Sequence, residues 1–530
     1  MEVYLKADVR IEPLIWNWYA WPHLIAPHTA SANIIERHIK IMESYIKSPQ
    51  LHKQANQLES MKGGPFMDFP EQDKVTEIQE LLQYTKINCQ ELIKLNEEIK
   101  STSIYLRDNA KGDSLERFYS DLPESLKGVI ELVYDTYQNA HLRFIEPLLY
   151  QKYYNDKSQS IFISNTRSDY RPFSLSTPRL KNDKTGLILD IAFSSKIIDI
   201  ISMMRYQSSD IQDITRAIDL DEEQLAIFNN FFTRENIGKY HGQKPLNEEV
   251  RVRYFGHACV LLETSKVSIL IDPVVSYYYK SDIERFTFLD LPSEIDYVLI
   301  THNHQDHVMF ETLLQLRHKI KQIIVPENCV GSMYDPSLKI ILNKVGFNNV
   351  TSIGELEKVN FVGGEIISLP FLGEHGDLKI QSKSAYYINI MNKKFMFAAD
   401  SNNLDSHLYK NIFSYIGHVD VLFIGMECLG APMSWLYGPL LISPLDYKYD
   451  QKRRLDGSNA EKSWNIIEES GCSECYVYAM GQEPWLNYIM ATNYNSNSPA
   501  IVESDKLIQK CVQQKIHSER LFAKREWLYK

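Results

Sequence analysis

Apolar positions follow two different rhythms along the chain. In the first half they recur at helical spacing. Ile34, Ile35, Ile39, Met42 and Ile46 share one side of a helix predicted over Thr29 to Ile46. Val75, Ile78, Leu81, Leu82 and Ile87 do the same within a longer helix predicted from Gln72 to Ile99. Pro123 stands where a first helical turn accepts proline, which predicts a third helix as far as Phe144. A short strand from Val3 to Ile11, and runs such as Ile161-Phe162-Ile163 and Leu187-Ile188-Leu189, make this half mixed α and β. The run Trp16-Asn17-Trp18-Tyr19-Ala20-Trp21-Pro22 is read as a buried packing knot, with an interface anchor as the alternative.

After the polar stretch Lys239 to Glu249 the rhythm shortens to strands: Val250 to Tyr254, Cys259 to Glu263, Val267 to Ile271 and Tyr297 to Ile300. A second run follows at Lys358 to Phe361, Ala385 to Ile390, Lys394 to Ala398 and Val419 to Ile424. Two groups of strands with helices outside them predict a sandwich of two sheets flanked by helices. The expected organisation is an α/β chain with a mixed α+β N-terminal domain over residues 1–245 and an αββα sandwich domain over 246–530.

Composition narrows the function classes. A net charge of −11 with both signs interspersed argues against a broad basic face for nucleic acid. No run of apolar residues is long enough for a membrane span, and the first residues lack the pattern of a secretory signal. Seven scattered cysteines do not form a disulfide framework, so a reducing cytoplasm is expected. Cys472 and Cys475 form a lone CxxC without a partner pair, and a packing role is the simpler reading.

The chemistry lies in His302-Asn303-His304-Gln305-Asp306-His307, directly after the apolar strand ending at Ile300 and Thr301. His302 and His304, two apart, can turn both imidazoles to one side. Four donors in six residues crowd a single ion and suit two. His302 and His304 would take one, Asp306 and His307 the other. Asp400, after Phe395 to Ala399, is a further donor at a strand end, and a carboxylate can span two cations. At a further strand end Glu374 and His375 stand side by side, and spacing alone leaves both open as a donor. No histidine follows the late strand Tyr476 to Tyr478; Gln482 and Glu483 are the donors there, with Glu427 at an earlier strand end. The set is short of imidazole and rich in carboxylate, which suits iron better than zinc.

The HxHxDH cluster resembles the metallo-β-lactamase superfamily, as does the lead-in Phe255-Gly256-His257-Ala258 with Ile269-Leu270-Ile271-Asp272-Pro273. In that superfamily an Asp at the position of Asp272 supports the metal-binding histidines; His257, His375 and Glu427 are further candidates for the surroundings of the site. Over almost its full length, including Trp18-Tyr19-Ala20-Trp21-Pro22-His23-Leu24, the chain resembles the diiron β-hydroxylases typified by the chloramphenicol-pathway enzyme. The resemblance implies two non-haem irons, one held by His302, His304 and Glu374, the other by Asp306 and His307, bridged by Asp400. It implies O₂ as oxidant, an external electron donor, and an amino-acid substrate tethered to a peptidyl carrier domain of a nonribosomal peptide synthetase. A homodimer formed through the N-terminal domain is also implied. The competing expectation is a dizinc hydrolase of a phosphodiester, lactone or thioester. The segment Met433-Ser434-Trp435-Leu436-Tyr437 is read as an ordinary apolar loop, with a pocket wall as the alternative.

Overall fold

The computed structural model describes residues 2–69, 73–181, 185–236 and 246–530. The predicted boundary stretch lies outside these residues as far as position 245, and so does Gln72. The C-terminal part is the expected sandwich. One seven-stranded sheet runs, edge to edge, through 350–353, 320–326, 295–299, 268–271, 259–263, 250–256 and 525–529. The other runs through 358–361, 364–369, 385–390, 393–397, 421–425, 474–478 and 517–520.

The strand sequences read as continuous apolar runs because both faces of each central strand are covered. Val260, Leu262, Ile269 and Ile271 point between the sheets and pack with Ile388, Phe397 and Phe423. Their neighbours Leu261 and Leu270 point the other way, into a core shared with Trp18, Ile25 and Phe310. The outer face of the second sheet is covered by Tyr409, Ile466 and Leu507, from the helices Ser406–Ile416, Ala460–Ser470 and Pro499–Gln513. Cys475 and Cys511 are buried in that same layer.

The N-terminal part is mixed α+β. A four-stranded sheet orders Trp18–Tyr19, Val9–Ile15, Gln159–Asn165 and Gly186–Leu189. The expected first strand is two strands, Glu2–Leu5 and Val9–Ile15. The Trp run forms the tight hairpin after it: Trp16 and Asn17 take left-handed backbone at φ 50° and 70°, and Trp18 and Trp21 are buried. The first predicted helix exists as Pro27–Asn33 and Lys40–Lys47, joined by a π-helical turn, Ile34–Ile39. The second is two helices, Val75–Asn88 and Gln90–Asn109. The third is absent. Residues Ile130–Tyr134 and Ala140–Phe144 form a hairpin instead. Gly128, at φ 74°, ends any helix started at Pro123, and the Asp135 carboxylate accepts the N–H groups of Tyr137 and Asn139 to close the turn.

The two parts meet across a fully buried charge network. Glu12 accepts from Arg171 at 2.5 Å and Arg179 at 2.7 Å. Arg171 also donates to Glu311 at 2.7 Å, and Tyr19, Tyr277 and Tyr488 add their hydroxyls to the same Glu311 carboxylate. Glu311 lies in the helix Phe310–Leu316, which directly follows the His-rich loop. Such a network resists the loss of any member, because the remaining charges stay buried and unpaired. Glu12→Ala is therefore expected to lower the unfolding free energy by about 3–5 kcal/mol in urea titrations; a loss under ~1 kcal/mol would mean the arginines find other partners.

Candidate metal centre

The donor residues stand at the C-terminal ends of strands. His302 to His307 follow Ile295–Leu299, Asp272 follows Ser268–Ile271, Asp400 follows Lys393–Phe397, and Glu427 follows Val421–Gly425. The chain must turn sharply to leave each strand and still aim a side chain inward. His257, Asp272, Glu374, Ala399 and Ala479 accordingly sit in left-handed backbone, at φ 51°, 40°, 67°, 49° and 52°. Non-glycine residues rarely accept this conformation, and such strain gathers at functional sites. Gly425 is required for a different reason. A Cβ there would lie 2.7 Å from Oδ1 of Asp400 and from the carbonyl oxygen of Ala399. The two spacer residues of the motif anchor the loop: Asn303 donates to Asp335, and Gln305 to the carbonyl of Ile489.

Proton accounting fixes what each imidazole presents. Asp272, fully buried, accepts the backbone N–H and the hydroxyl of Thr301 at 2.8 and 2.6 Å. With its proton so committed, Thr301 Oγ1 accepts from Nδ1 of His302 at 3.0 Å, which leaves Nε2 bare. Asp272 also accepts from Nδ1 of His307 at 2.8 Å, leaving that ring's Nε2 bare. Nε2 of His304 bonds the hydroxyl of Tyr437 at 2.8 Å, so its Nδ1 faces the site. His257 is used the other way round. Its Nδ1 accepts the N–H of Gly481, so its Nε2 carries a proton and donates to Oδ2 of Asp306 at 3.0 Å.

The bare atoms converge. Nδ1 of His304 is 3.0 Å from Oε1 of Glu374, and Nε2 of His307 is 3.0 Å from Oδ2 of Asp400. Nε2 of His302 lies between them, 3.6 Å from Glu374 and 3.8 Å from Asp400. Among the described residues, His302, His304 and Glu374 form one three-donor group, and His302, His307 and Asp400 a second that shares His302. A third comprises His257, Asp306 and His307. His302 Nε2, Glu374 Oε2 and Asp400 Oδ1 are buried with no hydrogen-bond partner. Lone pairs facing lone pairs out of water are stable only with cations between them, so these residues fit a dinuclear metal centre. Left to protons alone, the site is far from balance. Burial pushes the Glu374 carboxyl up to about 7. Burial, reinforced by Asp400 and Asp306, pushes Glu427 well above the carboxylate range. Burial works against a proton on His307, but Asp400, Asp306 and Asp272 outweigh it and hold the imidazolium well above its ordinary range.

The structure gathers His302, His304, Asp306, His307, Glu374, Asp400, Asp272 and His257 as one cluster. His375 is beside it, its Nδ1 donating to the carbonyl of Gly373 at 3.1 Å, and it belongs to none of the three donor groups. Glu427 lines the pocket above the donors. Glu483 is turned away, accepting from Tyr254 and from the N–H of Ala523. Thr301 and Tyr437 were not singled out by spacing. Thr301 adjoins the motif and could have been found there; Tyr437 is 133 residues from its partner and carries no local signal. The segment Met433–Tyr437 is a short helix, not a loop.

The pocket over the donors has a volume of about 340 Å³. Leu429, Trp435, Leu436, Leu455, Ile489 and Met490 give it an apolar wall, and Lys62 and Arg454 stand on its lining as well.

Comparison with known proteins agrees with this geometry. Residues 4–236 match the family described as "Diiron non-heme beta-hydroxylase N-terminal domain", and residues 251–431 match the "Beta-lactamase superfamily domain". The chain is 37% identical to the 4-amino-L-phenylalanyl-[CmlP-peptidyl-carrier-protein] 3-hydroxylase of Streptomyces venezuelae, over 99% of both chains. It superposes on the crystal structure of CmlA, a diiron β-hydroxylase from Streptomyces venezuelae, with a TM-score of 0.93, 36% identity and 99% coverage of each chain. A shorter likeness, 43% identity over 58 residues, links it to a UPF0173 protein of Pyrococcus abyssi and spans 11% of this chain and 23% of that one. Full-length likeness of this extent, on both halves of the fold, makes the chain a member of the diiron non-haem β-hydroxylase family.

Proposed function

We propose that this O₂-dependent diiron β-hydroxylase acts on an amino acid carried as a thioester by the peptidyl carrier domain of a nonribosomal peptide synthetase. The observation that carries this reading is the alignment over 99% of both chains with a hydroxylase named for a carrier-bound aminoacyl group. In the reading, His302, His304 and Glu374 would hold one iron, Asp306 and His307 would hold the other, and Asp400 would be available to both. The iron pair, when bound, supplies the activation of O₂ that the side chains themselves lack. The protein's part is to hold protons in the right places. Asp272 keeps His307 protonated on Nδ1, and through Thr301 it does the same for His302, so both turn a lone pair inward. Tyr437 does this for His304. His257, protonated on Nε2, donates to Oδ2 of Asp306, the oxygen that also faces Nε2 of His307 at 3.5 Å. The apolar wall of the pocket keeps water from the β-carbon and orients the side chain of the substrate.

The division into a substrate-contacting and dimerising domain over 1–245 and a metal domain over 246–530 belongs to the same proposal. So do a homodimer, a separate redox partner and a cytoplasmic location. Among the described residues no helix is long and apolar enough to cross a membrane.

Iron-loaded protein given an aminoacyl-loaded carrier, O₂ and a reductant is expected to add the mass of one oxygen atom to the acyl group. Two zincs per chain and hydrolysis in the absence of O₂ would overturn the reading. Glu374→Ala is expected to prevent assembly of the iron pair while His375→Ala retains it, as iron analysis and Mössbauer spectra will report; the reverse would reassign the ligand. Tyr437→Phe is expected to weaken iron binding at the His304 position by about 10–100-fold. Titration of the iron-free protein with Fe(II) checks this, and equal weakening of both irons would deny Tyr437 that role.

A further inference from the structure

A small cavity adjoins the charge network between the two halves of the chain. Its volume is about 20 Å³, and Arg10, Thr166, Asp169, Arg171, Glu311 and Trp485 stand on its lining. That is room for one body the size of a water molecule, and too little for phosphate or an organic ligand. Four of these residues carry a buried polar atom without a hydrogen-bond partner: Nε of Arg10, Nε of Arg171, Nε1 of Trp485 and Oγ1 of Thr166. Thr166, Arg171 and Trp485 are more than nine-tenths buried; the Arg10 side chain is 12% exposed. Nε of Arg10 lies 3.4 Å from Oε2 of Glu12 but is not aligned to donate to it. Buried N–H groups are almost always paired, so three unpaired ones on a single cavity call for an acceptor.

The carboxylates of the network are already engaged. Glu311 accepts from Arg171, Tyr19, Tyr277 and Tyr488. Glu12 accepts from Arg171 and Arg179. Asp169 accepts from Arg285 at 2.7 Å and from the hydroxyl of Tyr279. Charge points the same way. Arg10, Arg171, Arg179 and Arg285 pair with Glu12, Glu311 and Asp169, four cations with three anions. One further negative charge would balance them. A water molecule does not supply it. Its two lone pairs cannot serve three N–H donors, and it brings two protons that need acceptors of their own. A monatomic anion takes every donor, returns none, and carries the missing charge.

We propose that this cavity binds one chloride ion, held by the N–H groups of Arg10, Arg171 and Trp485 and the hydroxyl of Thr166, as a fixed part of the joint between the halves. The site is independent of the substrate reading above. Two measurements on the iron-loaded full chain test it. Crystals soaked in sodium bromide are expected to show a peak in the cavity that appears above the bromine absorption edge and not below it. Thermal unfolding in sodium chloride, against sodium gluconate at equal ionic strength, is expected to show a saturable rise of about 2 °C in the midpoint. Thr166→Val with Trp485→Phe removes two donors at nearly constant shape, and should raise the chloride concentration needed for that rise at least about tenfold. Thr166→Val alone should do so in part. Asp169→Asn, which takes a negative charge off the lining, should lower it, a change of opposite sign that damage to packing does not produce. Density without a bromide signal would mean a buried water and overturn the proposal. So would a chloride effect that the donor variants and Asp169→Asn leave unmoved. A midpoint blind to chloride would overturn it as well, and a bromide peak beside it would then be an adventitious ion only.

Discussion

The centre of this protein is held by a charge problem that only cations solve. Glu374, Asp400 and Asp306 are packed with His302, His304 and His307 at distances near 3 to 4 Å, largely out of water. Each of the three imidazoles has its outer nitrogen hydrogen-bonded away from the centre and turns its other nitrogen toward the carboxylates. The rest of the architecture can be read as the apparatus that keeps those commitments in place. Two sheets bring strand ends together, left-handed residues turn the chain at those ends, and Asp272 sits beneath three of the hydrogen bonds at once.

This explains why one His-rich loop serves different chemistries on one fold. The loop supplies donors to three groups, and residues from outside it complete each one. Here a carboxylate, Glu374, faces Nδ1 of His304, and the late strand Glu474–Tyr478 ends without a histidine. The full-length similarity to a diiron β-hydroxylase accords with that shift in ligand character, and the hydrolase expectation falls away with it.

Much of this was legible in the sequence, for a physical reason. Donors that follow a strand at short spacing announce themselves, so His302 to His307 stood out from local pattern, while Asp272 and Asp400 took their roles from the resemblance to the superfamily. Glu374 and His375 could not be separated by spacing; the resemblance chose Glu374, and in the fold it faces His304 while His375 bonds the carbonyl of Gly373. The segment Met433 to Tyr437 was marked only as an alternative pocket wall; the bond from Tyr437 to His304, 133 residues away, has no local signal. The failed helix after Pro123 has the opposite cause. Pro123 marks a favourable helix start, but Gly128 stops the turn it begins and the Asp135 turn folds Ile130–Tyr134 back on Ala140–Phe144 as a hairpin.

The short helix Met433–Tyr437 belongs to the metal half by sequence but is gripped from the other half by Arg37, Gly63 and Phe173. One of its residues steadies a donor of the metal centre and another forms the wall of the pocket. The metal half is thus no portable module. Cut free, it would expose the sheet face that carries Leu261 and Leu270 and would lose the scaffold that aims Tyr437. Gene fusions or trimmed versions that treat residues 246–530 as a self-sufficient catalyst would inherit the ligands without the means of orienting them. The two halves are expected to vary together in descent, with changes along 37–63 answered by changes along 433–437.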